Sequence, residues 1–235
     1  MALRVATYNI RKSIGTDRRR RPDRVLQVIS ELNADIVALQ EADRRFGRRQ
    51  STLPAAALAE AGWHAVAVGG RPDSLGFRGN AVLVRPGITI TGGHGVELPA
   101  FEPRGAAFAD MVISGTPLRV VAMHLGLTAQ PRLRQAAAIL ARLERGPRHA
   151  TVLMGDTNEW RQLRGALDLF GRHHHLSPAL PSWHATRPMA ALDRIMISRD
   201  LVFGAVHVHA SATARQASDH LPVWADLHFA AEPGR

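Results

Sequence analysis

The stretch from Leu3 to Glu41 constrains the fold more than any other. Two short apolar runs, Leu3–Asn9 and Asp35–Gln40, flank a segment in which Val25, Leu26, Ile29 and Leu32 recur at helical spacing. Pro22 suits the first turn of that helix. A strand, a helix and a second strand in succession make a unit whose two strands lie parallel. Each run closes on a polar side chain, Asn9 in the first and Glu41 in the second. In parallel sheets the rim formed by strand carboxyl ends is where ligands bind.

The rest of the chain does not repeat that unit regularly. A helix is expected over Leu53–Ala61, closed by Gly62, then strands over Trp63–Val68 and Asn80–Val84, the second stopped by Pro86. Ile88–Leu98 is β-rich and broken by glycines. Ala106–Ser114 and Leu118–His124 read as a hairpin around Gly115-Thr116-Pro117. Arg132–Leu143 has helical periodicity through Leu133, Ala136, Ala137, Leu140 and Leu143. After a strand at Thr151–Met154 come a short helix at Leu163–Phe170 and a loop at His173–Trp183. Leu192–Ile197 reads as a strand with Val202–His209 as its partner, and Leu221–Phe229 as the last strand. Helices are too few for an all-parallel barrel. Two packed mixed β-sheets with helices outside, an α/β arrangement, fit the order best. With no linker in sight, residues 1–229 are expected to form a single domain and 230–235 a frayed tail.

Composition narrows the chemistry. The 235 residues contain no cysteine, which excludes disulfides and thiolate chemistry and leaves zinc only His and carboxylate ligands. No apolar run is long enough to span a bilayer. The strand pattern begins at the N-terminus and leaves no room for a signal peptide, so the cytoplasm is the expected location. The formal net charge is +10, and Lys12 is the single lysine among 30 basic residues. Residues 1–50 carry twelve basic and six acidic side chains, with runs at Arg18–Arg21 and at Arg44, Arg45, Arg48 and Arg49. A charge run is usually a solvated face; here the surplus also suits an anionic substrate or surface.

The stretch Val152–Trp160 carries the densest chemistry. Its strand stops at Gly155, and Asp156 and Asn158 follow from the carboxyl end. Residues two apart on an extended chain point the same way. A carboxylate and a carboxamide on one face suit a water, a metal ion or a phosphate; taken alone, they equally suit a strand followed by an Asx-turn. Asn9, Glu41, His124, Asp193, Asp219 and His220 also end or interrupt apolar strands. Singly, each reads as a turn residue, a solvated carboxylate or a core histidine. Ser218-Asp219-His220 is no serine-hydrolase relay, because adjacent residues cannot serve one another as nucleophile, base and orienter. Together, carboxylate and amide oxygens without thiolates suit magnesium or manganese, and the histidines can donate to a phosphoryl oxygen. That is equipment for metal-assisted hydrolysis of a phosphate ester. His173-His174-His175 reads as a solvated loop, and Trp160 either stacks on a substrate or packs beneath its loop.

Seven short motifs, Thr7-Tyr8-Asn9, Leu39-Gln40-Glu41, Gly79-Asn80-Ala81, Met123-His124-Leu125, Gly155-Asp156-Thr157-Asn158, Leu192-Asp193-Arg194-Ile195 and Ser218-Asp219-His220-Leu221-Pro222, occur in this order. They resemble the endonuclease/exonuclease/phosphatase superfamily, which includes deoxyribonuclease I, neutral sphingomyelinases and inositol-polyphosphate 5-phosphatases. The resemblance implies a four-layer α/β sandwich. It implies Glu41 as principal metal ligand, with Asn9 and Asp219 close by, for Mg2+ or Mn2+. It implies that Asp156 orients or deprotonates the attacking water, that Asn158 steadies water and phosphate, and that His220, held by Asp193, contacts the scissile phosphate. His124 stands where nucleases and sphingomyelinases of the family have a phosphate-contacting histidine, whereas abasic-site endonucleases have a tyrosine. Deoxyribonuclease-like members carry a glutamate near Gly79-Asn80 that pairs with this histidine; Leu75–Asn80 has no acid, so the implied role of His124 is electrostatic contact. Lys12, Arg78, Asn80 and Arg104 are candidates for substrate binding, the cations being equally readable as surface charges. The expected activity is that of a monomeric, metal-dependent phosphodiesterase acting on nucleic acid, a phospholipid headgroup or a small diester. A phosphomonoesterase acting on an inositol or sugar phosphate, and a non-catalytic polyanion-binding module, are the alternatives.

Overall fold

A computed structural model describes residues 2–99, 103–161 and 164–230. Two six-stranded mixed sheets form the centre. The first contains β1 (Leu3–Asn9), β2 (Ile36–Gln40), β3 (His64–Ala65), β4 (Ala81–Val84), β11 (Leu201–Val208) and β12 (Val223–Phe229), in the order β11-β12-β1-β2-β4-β3. The second contains β5 (Thr89–Leu98), β6 (Arg104–Ile113), β7 (Thr116–His124), β8 (Ala150–Asp156), β9 (His175–Leu176) and β10 (Asp193–Ile197), in the order β5-β6-β7-β8-β10-β9. The helices are α1 (Pro22–Glu31), α2 (Ala55–Glu60), α3 (Ala129–Glu144), α4 (Ala166–Gly171) and α5 (Ala212–Ala217).

Three apolar layers follow from strands buried on both faces, which is why their sequences read as continuous apolar runs. Between the sheets, Val5, Ile36, Ala38 and Val82 meet Ala109, Val120, Val152, Met154 and Ile195. Outside the first sheet, Tyr8, Val37 and Leu39 pack under Val25, Val28 and Ile29 of α1 and Ala214 and Ala217 of α5. Outside the second, Phe108, Val121 and Leu153 pack under Ala136, Ile139 and Leu140 of α3 and Leu167 and Phe170 of α4. Helix, sheet, sheet and helix make the expected four-layer α/β sandwich. Among the described residues no helix is long and apolar enough to cross a membrane.

Topology gathers chemistry at one pole. Each sheet has one parallel pair, β1 with β2 and β7 with β8, and the neighbours of those pairs run antiparallel. The carboxyl ends of the parallel strands therefore lie beside the amino ends of β12, β4, β10 and β6. Asn9 and Gln40 end at this pole; so do His124 and Asp156, which are register partners, and Asp193, which pairs directly with Asp156.

Several expectations change. The strand expected to stop at Gly155 runs on to Asp156. β11 pairs with β12 in the first sheet, not with β10, so the chain changes sheets after Ile197. Trp63–Val68 supplies only a two-residue strand, although Val66 and Val68 are buried. In α3 the inward face is Arg132, Gln135, Ala136, Ile139 and Leu140, while Leu133 is exposed. The helix is turned because Gln135 accepts from the Gly126 N–H at 2.7 Å and Arg132 binds Glu159. The loop at His173–Trp183 contains β9, and His174 is buried rather than solvated. The α5 helix, with Ser211 as its N-cap accepting from the Ala214 N–H, has no counterpart in the sequence reading. Leu163 and the expected tail beyond Ala230 lie outside the described residues.

Candidate active site

Asp156 is the hub. Gly155 lets β8 lie against β7 before it: a Cβ there would sit 1.8 Å from the Met123 carbonyl oxygen. The carboxylate then divides its work. Its Oδ1 accepts the Asn158 N–H at 2.9 Å, closing an Asx-turn that holds Asn158 at φ 50°. Its Oδ2 accepts from the Asn9 Nδ2 at 3.0 Å and lies 3.4 Å from His124 Nε2 and 3.6 Å from His220 Nε2. Strand-then-Asx-turn and polar site are thus one structure. Asn158 Nδ2 donates to the Leu125 carbonyl at 3.0 Å, tying the turn to the residue after β7.

His220 is held from behind. Asp193 Oδ2 lies 2.8 Å from His220 Nδ1 and also accepts the Ser182 hydroxyl at 2.6 Å. Burial opposes charge on this imidazole, but the Asp193 and Asp156 carboxylates outweigh it and hold its pKa at about 10. Burial instead carries His124 down to about 3, against the pull of Asp156 and with Arg104 assisting. At neutral pH a cationic and a neutral imidazole therefore flank the same carboxylate oxygen. Environments that push two like groups apart assign them different roles.

Glu41, at φ 53°, carries the Lys12 ammonium on its carboxylate, and the Lys12 N–H donates to the Glu41 carbonyl at 3.0 Å. Asp219 lies 3.5 Å from the Arg11 guanidinium, and the Asn9 Oδ1 accepts the Arg11 N–H at 3.1 Å. Ser218 donates its hydroxyl to the Asn9 carbonyl at 2.7 Å, which joins the elbow before β12 to the end of β1. Glu41, His124, Lys12, Arg78 and Arg104 line one cleft. Glu41 and Asp219 each draw a cation, Lys12 and Arg11. A second grouping was not read from the sequence as a ligand set: atoms of Asp156, Asp193 and His220 lie within 4.8 Å of one another, close enough to hold a metal ion.

Asn80 departs from the substrate role. It is 1% exposed, its Nδ2 donates to the Gly105 carbonyl at 2.9 Å, and it joins β4 to β6 as a structural tie. Arg78 is salt-bridged to Glu97 while still lining the cleft. Of the two arginine runs, Arg44, Arg45 and Arg49 line the cleft, whereas Arg18–Arg21 are exposed elsewhere and Arg21 pairs with Asp23 at 2.7 Å. Trp160 is 62% exposed, edge-on to Trp183 at 5.5 Å, so it does not pack beneath its loop. Three residues that position the site escaped sequence reading: Ser182 and the buried pair Arg132–Glu159, at 3.1 Å, which anchors the segment after Asn158.

Solved structures share this architecture. An endonuclease/exonuclease/phosphatase from Beutenbergia cavernae is 22% identical, with a TM-score of 0.76 over 100% of this chain and 73% of that one. D. rerio TDP2, complexed with single-strand DNA product, is 17% identical, with a TM-score of 0.73 over 97% and 99% of the two chains. A mannosyl-6-phosphatase from Bacteroides thetaiotaomicron is 19% identical, with a TM-score of 0.74 over 97% and 100%. Among curated proteins none matches significantly. The family model described as Endonuclease/Exonuclease/phosphatase family matches residues 6–220, nearly the whole chain. The chain belongs to the endonuclease/exonuclease/phosphatase family, whose members are hydrolytic phosphoesterases.

Proposed function

We propose that residues 1–229 form a single catalytic domain, a monomeric cytoplasmic enzyme that hydrolyses a phosphodiester by in-line attack of a water activated by Asp156. The observation that carries this reading is the position of Asp156 Oδ2, held by Asn9 and flanked by the His124 and His220 imidazoles. A carboxylate so placed accepts the proton of the attacking water. The Asn158 turn fixes the direction of that carboxylate. The His220 imidazolium, steadied by Asp193, donates toward the phosphoryl oxygens as their charge grows. His124, kept neutral, donates a hydrogen bond without a full charge. Lys12, Arg78 and Arg104 hold the non-bridging oxygens from the cleft wall. Glu41, Asn9 and Asp219 would hold Mg2+ or Mn2+, which when bound supplies electrostatic stabilisation to the ester oxygens.

The likeness to TDP2 with its single-strand DNA product supports a diester, and the likeness to a mannosyl-6-phosphatase keeps a monoester in view. The test is a panel of duplex and single-stranded DNA, RNA, phospholipid, inositol phosphate, sugar phosphate and a chromogenic diester. Each is assayed with magnesium, with manganese and with chelator. Metal-stimulated cleavage of diesters is expected. Cleavage of monoesters alone would replace the reading, and polyanion binding without any hydrolysis would make the chain a binding module.

A further inference from the structure

The cleft beside Glu41 and His124 does not end there. It is lined on its far side by Arg44, Arg45, Arg49 and Arg78, and a second cavity shares Asp43, Arg49 and Arg78 with it and continues to Arg71. The two cavities adjoin at these three shared residues, and together they make a basic channel beside the site. Its walls come from the loop after β2 and the segment before β4. Arg71 Nη1 donates to the Gly47 carbonyl at 2.7 Å, and Asp43 accepts the Leu75 N–H at 2.7 Å, so the two segments brace each other.

The charge balance of the channel is lopsided. Its acids are Glu41, paired with Lys12, and Asp43, which is buried and bonded to the backbone. Six arginines line the channel, counting Arg104 at the inner end, and one of them, Arg78, is paired with Glu97. Arg49 is only half-exposed and forms no ion pair among the described residues; burial and the nearby Arg78 and Arg71 push its pKa down. Like charges gathered along one cleft repel one another, and a bound anion relieves that repulsion. Planar guanidinium groups suit phosphate oxygens, which they bind in a bidentate manner.

We propose that this channel binds a second phosphate of the substrate, so that the preferred substrate is an ester with at least one more phosphate on the Arg49–Arg71 side. The proposal rests on the phosphodiesterase reading and names its substrate class. A nucleic-acid strand and a small molecule with two phosphates share this chemistry. A monoanionic diester would use the inner cleft alone.

The test compares chromogenic bis(p-nitrophenyl) phosphate with two polyphosphorylated substrates, a 5′-phosphorylated thymidine dinucleotide and an eight-nucleotide oligothymidylate. Arg49→Ala, Arg71→Ala and the double variant are compared with the natural chain. The ratio of kcat/KM for phosphorylated over chromogenic substrate should fall about tenfold for each arginine removed, the worth of one charge-assisted contact. A loss with both the dinucleotide and the oligonucleotide assigns the site to a neighbouring phosphate of any source. A loss with the oligonucleotide alone assigns it to a strand. A ratio unchanged within twofold overturns the proposal. Binding of a fluorescent oligothymidylate, measured in chelator with tripolyphosphate as competitor, separates the two readings. Its salt slope should become shallower by about 0.7 per arginine removed. Arginine-dependent binding without hydrolysis of any ester sustains the channel and sinks the phosphodiesterase reading. Hydrolysis with a salt slope indifferent to both variants does the reverse.

Discussion

Asp193→Asn removes the charge behind His220 and little else. The carboxamide has nearly the same shape, and Ser182, which donates to Asp193 Oδ2 at 2.6 Å, can still find an acceptor. The imidazole, however, owes its pKa of about 10 to carboxylates that overcome its burial, and Asp193 is the largest of these contributors. A rise from about 6.5 to about 10 is worth ~5 kcal/mol in the folded state. Asp156, 3.6 Å from Nε2, and Asp219 remain in the variant. We therefore assign about 3 kcal/mol to Asp193, the lower end for breaking a buried pair. The folded pKa is raised, so this stability is fully present below about pH 6.5 and fades as pH climbs through 10. Urea unfolding at pH 6, 8 and 10 should show a gap of about 3 kcal/mol between the natural chain and the variant that narrows at the alkaline end. The same change should carry the alkaline limb of kcat/KM down by about two pH units, with KM for a small diester altered less than kcat. Natural-abundance or labelled histidine NMR titration gives an independent reading of the same pKa. A stability gap constant from pH 6 to 10, with an unmoved alkaline limb, would refute the reasoning, since Asp193 would then be filling space.

Asp156→Asn should lower kcat about 10²–10⁴-fold, the usual worth of a general base, while substrate affinity measured by equilibrium binding holds or tightens because a negative charge has left the site. Glu41→Gln should abolish the stimulation of hydrolysis by magnesium and manganese while the circular dichroism spectrum and unfolding midpoint persist; full activity in chelator would remove the metal from the account. His174 sits buried in the bend between α4 and β9, its Nδ1 without a partner among the described residues, and burial brings its pKa down to about 4. A depressed folded pKa means that stability is present above about pH 6.5 and is lost as pH falls toward 4. His174→Leu should therefore abolish about 2 kcal/mol of the stability lost between pH 7 and pH 5, read from urea midpoints at the two values.

What the sequence disclosed depended on what hydropathy reports. It reports burial, and in this sandwich each central strand is buried on both faces, so Leu3–Asn9 and Asp193–Ile197 stand out as apolar runs. It does not report partners. Val202–His209 is recognisable as a strand, but its expected partner Leu192–Ile197 is the wrong one, because pairing with β12 rather than β10 is decided by where the chain crosses after Ile197. The phase of α3 was misjudged for a related reason. Arg132 and Gln135 look like solvent-facing residues, and only the presence of Glu159 and the Gly126 N–H turns that side inward. Buried polar groups that are satisfied by distant partners leave almost no local trace. The site residues were more legible, because a polar side chain at the end of an apolar strand is conspicuous. Asn80 shows the weakness of that signal: it is a polar residue at the start of an apolar strand, yet its amide ties that strand to β6.

The site owes its coherence to the two parallel pairs. A hairpin brings residues close in sequence to one end; a parallel crossover brings the carboxyl ends of distant strands together. Both sheets do this at the same pole, and their antiparallel neighbours return with their amino ends there. Residues 9, 41, 124, 156, 193 and 220 thus converge although no two neighbours in that series are closer than 27 positions. The register between β7 and β8 then sets the finest dimension, because it places His124 opposite Asp156 and so fixes the 3.4 Å between imidazole and carboxylate. Gly155 is the residue on which that register turns. Any side chain there would meet the Met123 carbonyl oxygen at 1.8 Å, and relief by parting the strands would separate the histidine from the carboxylate it flanks. A backbone without side chain, one residue before the hub, is therefore part of the site's chemistry.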